Sequence, residues 1–552
     1  MPARHERWSS QFGVILAVSG SAVGLGNFLR FPGLVAQYGG AAFLIAYCVS
    51  LLLVGIPVSW AEWTVGRLGG HHGYHSSPGI FHALIRRPWA KYAGVAGVLL
   101  PLAVGMYYIY VEAWCAGYAF NTLTGTLAKQ GGADGFTAFF NRFVGAAEDG
   151  SAFNFSPSGV GLFVPIALAA NLFFIHRGIS RGIEKVCRYG MPLLLILAGV
   201  LVVRVLTLGA PDAAHPDRNI PAALGFLWNP TDDTLQRLAN PQLWLAAGAQ
   251  VFISLSIGLG PILTYASYLR KNDDIALSSL TSVSTNEFCE VVLGALLTVP
   301  AAFLFLGADA LAAGQGSFSL GFKTLPAVFE NLPFGGLFAF VFFALLFLAA
   351  LTSSISVMQP VLAFIEEAFG WRRSRAVAAL AVLTTIGTAW TWWFSADLKA
   401  LDTMDFWAGT IGVFLLGTMV VLTFGWSIGK GRGWKELHRG AAIRVPGVFR
   451  PIMLCVTPIY LLTIFALFIL ANVIGWNFSF SAPTFNPTAY ITDLMGGEGG
   501  GSLPARLTVL FLVVLLVFLL ALIRLARRRW RDNHPRRTPT TQSNPGQNKL
   551  PT

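Results

Sequence analysis

The sequence predicts an all-α polytopic membrane protein with twelve transmembrane helices. Of its 552 residues, 55% are hydrophobic and only 12% are charged, whereas charged residues make up about 25% of soluble domains. A soluble chain of this length would need several domains of about 150 residues joined by polar linkers, and none appears before Trp530. A bilayer core requires about 20 apolar residues per helix, and the chain contains twelve such stretches.

The apolar stretches give approximate bounds for each helix in turn. They are 11–37, 41–66, 92–124, 160–176, 189–208, 242–268, 276–306, 334–365, 376–395, 400–426, 450–475 and 505–524. The first stretch follows Arg4 and Arg7, as a signal peptide would, but it lacks a small-x-small cleavage site and a polar mature start. We therefore expect it to be a membrane helix. The fourth stretch is short, and the eighth carries no charge from Phe334 to Ile365.

Basic residues collect in alternate loops, which predicts that both termini are cytoplasmic. The basic positions are Arg4 and Arg7; Arg86, Arg87 and Lys91; Arg177, Arg181, Lys185 and Arg188; Arg270 and Lys271; Arg372, Arg373 and Arg375; Lys430 to Arg444; and Arg524 to Arg529. The intervening loops are neutral or acidic. Because both termini then lie on one side, the helix count must be even. We expect a multi-pass protein of the plasma (inner) membrane, and its formal charge of +12 reflects orientation rather than nucleic-acid binding.

Two glycine-interrupted helices are the most informative local feature. Val23–Asn27 reads VGLGN in the first helix, and Ile257–Pro261 reads IGLGP in the sixth. One G-x-G in a membrane helix more often marks close helix packing. Two at corresponding midpoints are the pattern of two five-helix repeats. The sequence therefore predicts that both helices are unwound there.

An unwound turn at the bilayer midplane has free backbone groups, which are tolerated only where they line a cavity. The half-helix beginning near Gly26 would present N–H groups to a carboxylate, and the carbonyls from Gly20 to Val23 suit a small hard cation. Neutral oxygen ligands lie nearby at Asn27, Ser254, Ser256, Asn286 and Thr352-Ser353-Ser354. Any single hydroxyl here could simply bond to its own helix. Together they predict a site for a zwitterion and Na⁺.

The repeat divides the chain into five parts. They are a cytoplasmic N-terminal segment (1–10), a first repeat of helices 1 to 5 (11–208), a second of helices 6 to 10 with long outer loops (209–426), helices 11 and 12 (427–531), and a tail (532–552) whose composition predicts disorder. The outer loops 125–159, 209–241 and 307–333 are long enough for short helices and a lid.

The motifs at and around the breaks resemble the neurotransmitter:sodium symporter family, and most closely its bacterial leucine-transporter branch. The similar segments are Gly20–Pro32, Gly55–Pro57, Glu62–Trp63, Gly66–Arg67, Tyr107–Tyr108, Ser256–Gly260, Thr264–Lys271, Asn286–Glu287, Leu351–Ser354 and Met404–Gly412. The similarity runs from about residue 5 to residue 530. It implies a leucine-transporter-like five-plus-five inverted repeat with unwound helices 1 and 6, two added helices, and Na⁺-driven uptake of a small-molecule amino acid across the lipid bilayer.

The resemblance also implies positions for two sodium ions and the substrate. One ion would be bound by Ala22, Asn27, Ser254, Asn286 and the substrate carboxylate, and the other by Gly20, Val23, Ala349, Thr352 and Ser353. The substrate carboxylate would meet the N–H groups of Leu25 and Gly26 and the hydroxyl of Tyr108. Its amine would lie near Ser254 and Ser256, and its side chain would lie among Val104, Ile253, Leu259, Ser354 and Val357.

The residues of the side-chain pocket indicate that the substrate is a neutral, apolar L-amino acid. Family members that bind biogenic amines have an aspartate where this chain has Gly24, so the substrate here should bring its own carboxylate. A charged side chain in an aliphatic pocket would cost several kcal/mol of desolvation. Ile253 and Leu259 replace phenylalanines of the leucine-transporter pattern. The extra room would either admit a larger side chain or leave the site less tightly closed.

Charged residues near the two ends of the pathway are candidate gates. By resemblance, Arg30 and Asp405 close the outer gate; the alternative for Arg30 is that it extends to the outer interface. The inner gate would comprise Arg4, His5, Trp8, Tyr268 and Glu367. His5 stands where the family has arginine, and Glu367 stands in the place of an aspartate. Either Arg4 substitutes, or inner closure is weaker or sensitive to pH.

Glu290 follows Asn286 by one helical turn, near the first sodium position. Chloride-dependent relatives have a small hydroxyl residue there and bind Cl⁻ with residues matching Tyr47 and Gln250. A carboxylate would supply the negative charge itself, so we predict chloride-independent transport, with Glu290 a candidate carrier of a returning proton. The alternative is a protonated structural glutamate, the role expected for Glu62, Glu112 and Glu287.

Other function classes fit the sequence less well. A proton-coupled amino-acid permease of the same architecture is the alternative function. An enzyme is not expected, because the chain has no H-E-x-x-H and no convincing Ser/His pair. Five dispersed cysteines predict neither disulfides nor a zinc site, and glycines around His71, His72 and His75 favour a loop over a metal-binding helix. No obligate protein partner is evident.

Overall fold

The computed structural model describes residues 8–211, 214–313, 316–429, 431–477, 484–496 and 501–532. In these residues the protein is all-α, and a single bridge between Trp476 and Phe485 is the only β pairing. Arg4, His5 and the tail beyond residue 532 lie outside the described residues.

In the described residues, helical segments correspond to each of the twelve predicted apolar stretches. They are α1 (Gln11–Ala22 and Gly26–Tyr38), α2 (Gly40–His71), α3 (Ala90–Leu123), α4 (Val160–His176), α5 (Ile179–Leu206), α6 (Pro241–Ser254 and Pro261–Ser267), α7 (Ile275–Leu306), α8 (Gly335–Phe369), α9 (Arg373–Trp393), α10 (Ala396–Ser427), α11 (Phe449–Ile474) and α12 (Leu503–Asp532). Within the described ranges, nine continuous helices are long and apolar enough to span a bilayer, and the bent halves of α1 make a tenth span. The segment α4 is shorter, and α6 is broken, so the predicted all-α polytopic fold is confirmed.

Short helices occupy the long loops and the segments beside the membrane. They are Ser77–Ile85, Gly132–Val144, Ile220–Trp228, Thr234–Leu238, Ala308–Ala312, Ser317–Ser319, Leu325–Glu330, Arg432–Leu437 and Ala489–Met495. The helix α5 begins at Ile179 rather than at the predicted 189. The prediction counted only apolar residues, whereas the helix continues through the polar turns that contain Arg181, Lys185 and Arg188.

Both predicted breaks are present. The first half of α1 ends at Ala22, Val23 is extended with φ −74° and ψ 100°, and the second half starts at Gly26 with a bend of 49°. In α6, the chain between the two halves takes a positive φ at Ser256, Gly258 and Gly260. Pro261 then starts the second half. Proline suits the first position of a helix, because the N–H group it lacks would have no hydrogen-bond partner within the helix.

The broken helices lie inside the bundle. The first half of α1 packs against α5, α7 and α8, and the second half of α6 packs against α2 and α8, while α3 packs along α8. Wider π-helical turns interrupt α7 at Phe288–Gly294 and α10 at Asp405–Gly412. Such turns alter the direction of side chains and occur often at functional sites. The division into repeats at 11–208 and 209–426 stays a prediction.

Candidate functional site: a cavity between two broken helices

A cavity of about 490 Å³ lies between the breaks of α1 and α6 and is completed by α3, α8 and α10. Nine of the ten predicted substrate residues line it: Leu25, Gly26, Val104, Tyr108, Ile253, Ser254, Ser256, Leu259 and Val357. The unwound main chain forms one wall, and four of the five side chains predicted for the substrate side-chain pocket, all aliphatic, lie among the lining residues. The cavity therefore offers a polar main-chain surface and an apolar surface to one small molecule.

The first break places backbone donors beside a tyrosine hydroxyl. The N–H of Leu25 points at the Tyr108 hydroxyl oxygen, 3.4 Å away. A Cβ added at Gly24 would lie 3.0 Å from both the Tyr108 hydroxyl and the Ser353 Oγ. Because that space is already filled, an aspartate side chain at position 24 could not be accommodated without moving these groups.

The second break is held by polar contacts to two other helices. Buried Glu62 of α2 accepts a 3.1 Å hydrogen bond from the N–H of Gly258. Ser256 donates from its hydroxyl to the carbonyl of Ser21, 2.9 Å away, and so connects the two broken segments. Gly258 has φ +70°, and an added Cβ would be 2.4 Å from the Val413 carbonyl oxygen. Only glycine fits that close approach.

The residues predicted for the first sodium ion form one buried cluster. Asn27 Nδ2 donates to Asn286 Oδ1 at 2.9 Å, and Asn286 Nδ2 donates to Ser254 Oγ at 3.3 Å. The Gly24 N–H donates to Asn27 Oδ1 at 2.8 Å. Ala22 lines the adjoining cavity wall. Neutral amide, hydroxyl and carbonyl oxygens with no fixed charge suit a monovalent hard cation, so this donor set fits Na⁺.

The residues predicted for the second ion also meet. Ser353 Oγ lies 3.3 Å from the carbonyl oxygens of both Gly20 and Val23. Thr352 Oγ1 lies 3.1 Å from the carbonyl oxygen of Ala349. The Ser353 hydroxyl thus meets the Gly20 and Val23 carbonyls where α1 contacts α8, while the Thr352 hydroxyl, also 3.1 Å from the Leu348 carbonyl, lies against its own helix. This set, too, consists of carbonyls and hydroxyls that fit Na⁺.

Ser354 is not in the cavity lining where the resemblance placed it. Its hydroxyl is buried and lies 2.7 Å from both Glu112 Oε2 and Asn171 Oδ1. Asn171 Nδ2 also donates to Glu112 at 2.9 Å. Successive residues on a helix point about 100° apart, so Ser353 faces α1 while Ser354 faces α3 and α4. The expectation for Ser354 is corrected accordingly.

The predicted outer-gate residues line the upper part of the same cavity, but they do not pair directly. No ion pair joins Arg30 to Asp405 within 4.0 Å, although both side chains are described. The hydroxyl of Tyr107 instead donates to Asp405 at 2.6 Å. Asp402 and Tyr490 also line this part, and burial, followed by the Asp402 and Asp405 carboxylates, raises the pKa of Tyr490 to about 12. None of these three residues was predicted as a site component, although Tyr107 directly precedes Tyr108 and Asp402 lies three residues before Asp405.

Trp8, a predicted inner-gate residue, is buried against the second half of α6. Its indole Nε1 donates to the Tyr265 carbonyl at 3.1 Å, and its ring packs edge-on against the Tyr265 ring, with centroids 5.1 Å apart. Tyr268 stacks on His75 at a centroid distance of 4.2 Å. The histidine lies in a loop, as predicted, but its place beside an inner-gate residue was not foreseen.

Glu367, another predicted inner-gate residue, is bound to the start of the helix Ser77–Ile85. It accepts hydrogen bonds from the N–H groups of His75 and Ser76, at 2.7 and 2.9 Å, and from the Ser76 hydroxyl at 2.8 Å. The structure therefore brings Glu367 close to His75 and Tyr268. The predicted partners Arg4 and His5 lie outside the described residues.

Glu290 is fully buried beside the first cation cluster. Tyr47 donates to it at 2.6 Å, Asn286 Nδ2 donates at 3.3 Å, and Gln250 Nε2 donates to its other oxygen. The same tyrosine hydroxyl lies 3.0 Å from Glu287. The carboxylate thus occupies the position between Tyr47 and Gln250.

Comparison with known proteins agrees with this geometry. The model of the sodium:neurotransmitter symporter family matches residues 5–208 and 160–491. The chain belongs to this family. An uncharacterized sodium-dependent transporter of Methanocaldococcus jannaschii is 30% identical over 467 residues, which are 81% of this chain and 89% of that protein. The sodium- and chloride-dependent GABA transporter 2 of Bos taurus is 26% identical over 474 residues, 79% of this chain and 75% of the relative.

A solved structure of the same fold is that of MhsT in complex with L-phenylalanine. It superposes with a TM-score of 0.70 at 29% identity and covers 84% of this chain and 99% of MhsT. This symporter is therefore a multi-pass membrane protein for sodium-coupled transport of a small molecule, and not an enzyme.

Proposed function

We propose that this symporter imports a neutral, apolar L-amino acid with two sodium ions, independently of chloride, by alternating access. The observation that carries the proposal is the first break. There, a short segment from Gly20 to Asn27 contacts all three parts of the site. Its Leu25 N–H points at the Tyr108 hydroxyl, and its other residues contact both predicted cation clusters. A substrate carboxylate at this point would accept from the donors and contribute an oxygen to the first ion.

The pocket chemistry supports the substrate class. With glycine at position 24, the first break carries no carboxylate to bind an isolated amine, and the Cβ contacts at 3.0 Å leave no space for one there. Val104, Ile253, Leu259 and Val357 line the cavity, where a charged side chain would lose hydration without a partner. The related MhsT is titled as a complex with L-phenylalanine. With Ile253 and Leu259 leaving extra room, we expect substrates to include aromatic side chains.

Glu290 supports chloride independence. Its carboxylate already receives hydrogen bonds from Tyr47, Gln250 and Asn286 beside the first cation cluster. A chloride ion at this position would be repelled by the Glu290 carboxylate, and the hydrogen-bond donors that could bind it already donate to that carboxylate. The fixed carboxylate therefore takes the anion's role in balancing the sodium charge, and a proton bound to Glu290 on the return step would preserve that balance.

The arrangement of open and closed ends supports alternating access. The cavity extends toward the outer loops past Arg30 and Asp405, which form no ion pair with each other, while Trp8, the proposed inner closure, binds to Tyr265. In the proposed orientation, with both termini cytoplasmic in the plasma (inner) membrane, the site thus opens outward. Each sodium ion that moves down 100 mV releases about 2.3 kcal/mol. Two ions would release about 4.6 kcal/mol, enough for about three decades of substrate accumulation.

Uptake into proteoliposomes tests the proposal. Labelled leucine, phenylalanine, glutamate and lysine are offered under an inward Na⁺ gradient, with choline replacing Na⁺ in the control. We expect Na⁺-dependent uptake of the two apolar amino acids, unchanged when gluconate replaces chloride. Uptake of only charged substrates would contradict the substrate assignment, and loss of uptake in gluconate would contradict chloride independence.

A further inference from the structure

A second cavity, of about 320 Å³, lies away from the transport site at the start of α5. We call it the basic pocket. It is lined by Ser9, by Arg177 and Ser180 near the α4–α5 turn, and by Arg181, Glu184, Lys185, Arg188 and Tyr189 of α5. Four basic side chains and one carboxylate thus share a concave surface beside a membrane helix.

Among the described residues, no carboxylate pairs with three of the four basic side chains. Arg188 pairs with buried Glu184 at 2.9 Å. No carboxylate of the described residues lies within 4.0 Å of Arg177, Arg181 or Lys185. Arg177 lies over the exposed Phe173 ring, 4.4 Å from its centroid, which orients the guanidinium without cancelling its charge. Arginine and lysine arranged in this way suit a phosphate group.

An exposed apolar stripe continues from the basic pocket along α5. It consists of Tyr189, Leu193, Ile196, Val200 and Val203, spaced alternately by four and three residues and therefore on one helix face. A free phosphate ion would use the pocket but not the stripe. A phospholipid would use both, because its headgroup lies at the interface and its chains lie along the helix.

We propose that the basic pocket binds the phosphate of an anionic phospholipid, such as phosphatidylglycerol, with the acyl chains along the exposed face of α5. Bound lipid also favours the closed inner end. Glu184 accepts hydrogen bonds from the N–H of Ser9 at 3.0 Å and from the Ser9 hydroxyl, next to Trp8. It also packs directly on Gly13, where an added Cβ would be 2.0 Å from its carboxylate. A phosphate that reduces the repulsion among Arg177, Arg181 and Lys185 stabilises the start of α5, on which Glu184 holds Ser9.

Native mass spectrometry of the purified full-length chain tests the site. The protein is presented with equal amounts of phosphatidylglycerol and phosphatidylcholine. The pocket variant carries Arg177→Gln, Arg181→Gln and Lys185→Gln. A matched control carries Arg87→Gln, Arg372→Gln and Arg375→Gln, which remove three exposed charges elsewhere.

We expect the wild type and the control to retain phosphatidylglycerol, and the pocket variant to bind it roughly 100-fold more weakly, since each basic residue near an anionic lipid contributes about a fivefold change. If the triple variant is not stable in gel filtration, Lys185→Gln alone should weaken retention roughly fivefold. Equal loss in the control and pocket variants would overturn the proposal, as would unchanged retention in the pocket variant. Displacement of the retained lipid by millimolar inorganic phosphate would also overturn it, because the acyl chains along α5 would then add nothing to binding.

Discussion

Replacing Ser353 by alanine removes one oxygen from the second proposed sodium site. In the structure, Ser353 Oγ lies 3.3 Å from the carbonyl oxygens of Gly20 and Val23. Without the ion, the hydroxyl donates to these carbonyls; with the ion, it turns its oxygen toward the cation. The substitution therefore affects both the ion-free and the ion-bound protein.

The expected effect on sodium affinity is the difference between two losses. In the bound form, an interaction with a charged partner contributes about 1.5 to 3 kcal/mol. In the free form, the single O–H is shared between two carbonyl oxygens at 3.3 Å and contributes about 1 kcal/mol. The net loss is about 0.5 to 2 kcal/mol, so the half-saturating sodium concentration should rise by about 2- to 30-fold.

The assay is labelled amino-acid binding to purified protein, titrated with sodium at constant ionic strength. Reciprocity requires the apparent substrate affinity at limiting sodium to fall by the same factor. Thr384→Val is the control, because Thr384 is a buried hydroxyl on α9 that donates to the Leu380 carbonyl at 2.8 Å. A Ser353→Ala protein with an unchanged sodium midpoint, or a control that shifts equally, would refute the reasoning.

Three further substitutions test other parts of the site. Gly24→Ala brings a Cβ to 3.0 Å from two oxygens and should weaken substrate binding by at least about tenfold, whereas Gly199→Ala, which meets open space, should not; equal binding in both would contradict the filled-space argument. Glu290→Ser removes the fixed carboxylate and should make uptake depend on chloride, measured by gluconate replacement; continued uptake in gluconate would count against the charge-balance argument. Leu259→Phe should reduce competition by phenylalanine relative to leucine in binding assays, and an unchanged ratio would show that this wall does not select substrate size.

The sequence was enough to predict the twelve apolar segments and both breaks, because these features depend on local composition. A bilayer-length apolar run must be helical, and the Gly-Leu-Gly motifs leave little side chain to support a continuous helix. The same reasoning placed the start of α5 too late, because a helix can extend beyond the bilayer through polar turns such as those with Arg181 and Lys185.

Side-chain direction within the site was harder to predict. Ser353 and Ser354 are adjacent in the sequence and chemically identical, yet one faces α1 and the other faces Glu112. Which of them meets the cavity depends on the rotation of α8, and tertiary packing sets that rotation. The contact of Tyr107 with Asp405 likewise joins residues distant in sequence, and no local pattern reports such a contact.

The proposed coupling follows from how short the first break is. Gly20 and Val23 contribute carbonyls to one cation cluster, Gly24 bonds to Asn27 of the other, and Leu25 directs its N–H toward the Tyr108 hydroxyl. A bound cation fixes the carbonyls of this segment, and fixing them orders the N–H groups that follow. Because sodium has already ordered this segment, substrate binding costs less of the protein's conformational entropy. Substrate must then tighten sodium binding by the same factor, so the affinity of either ligand should change by an equal ratio when the other is added.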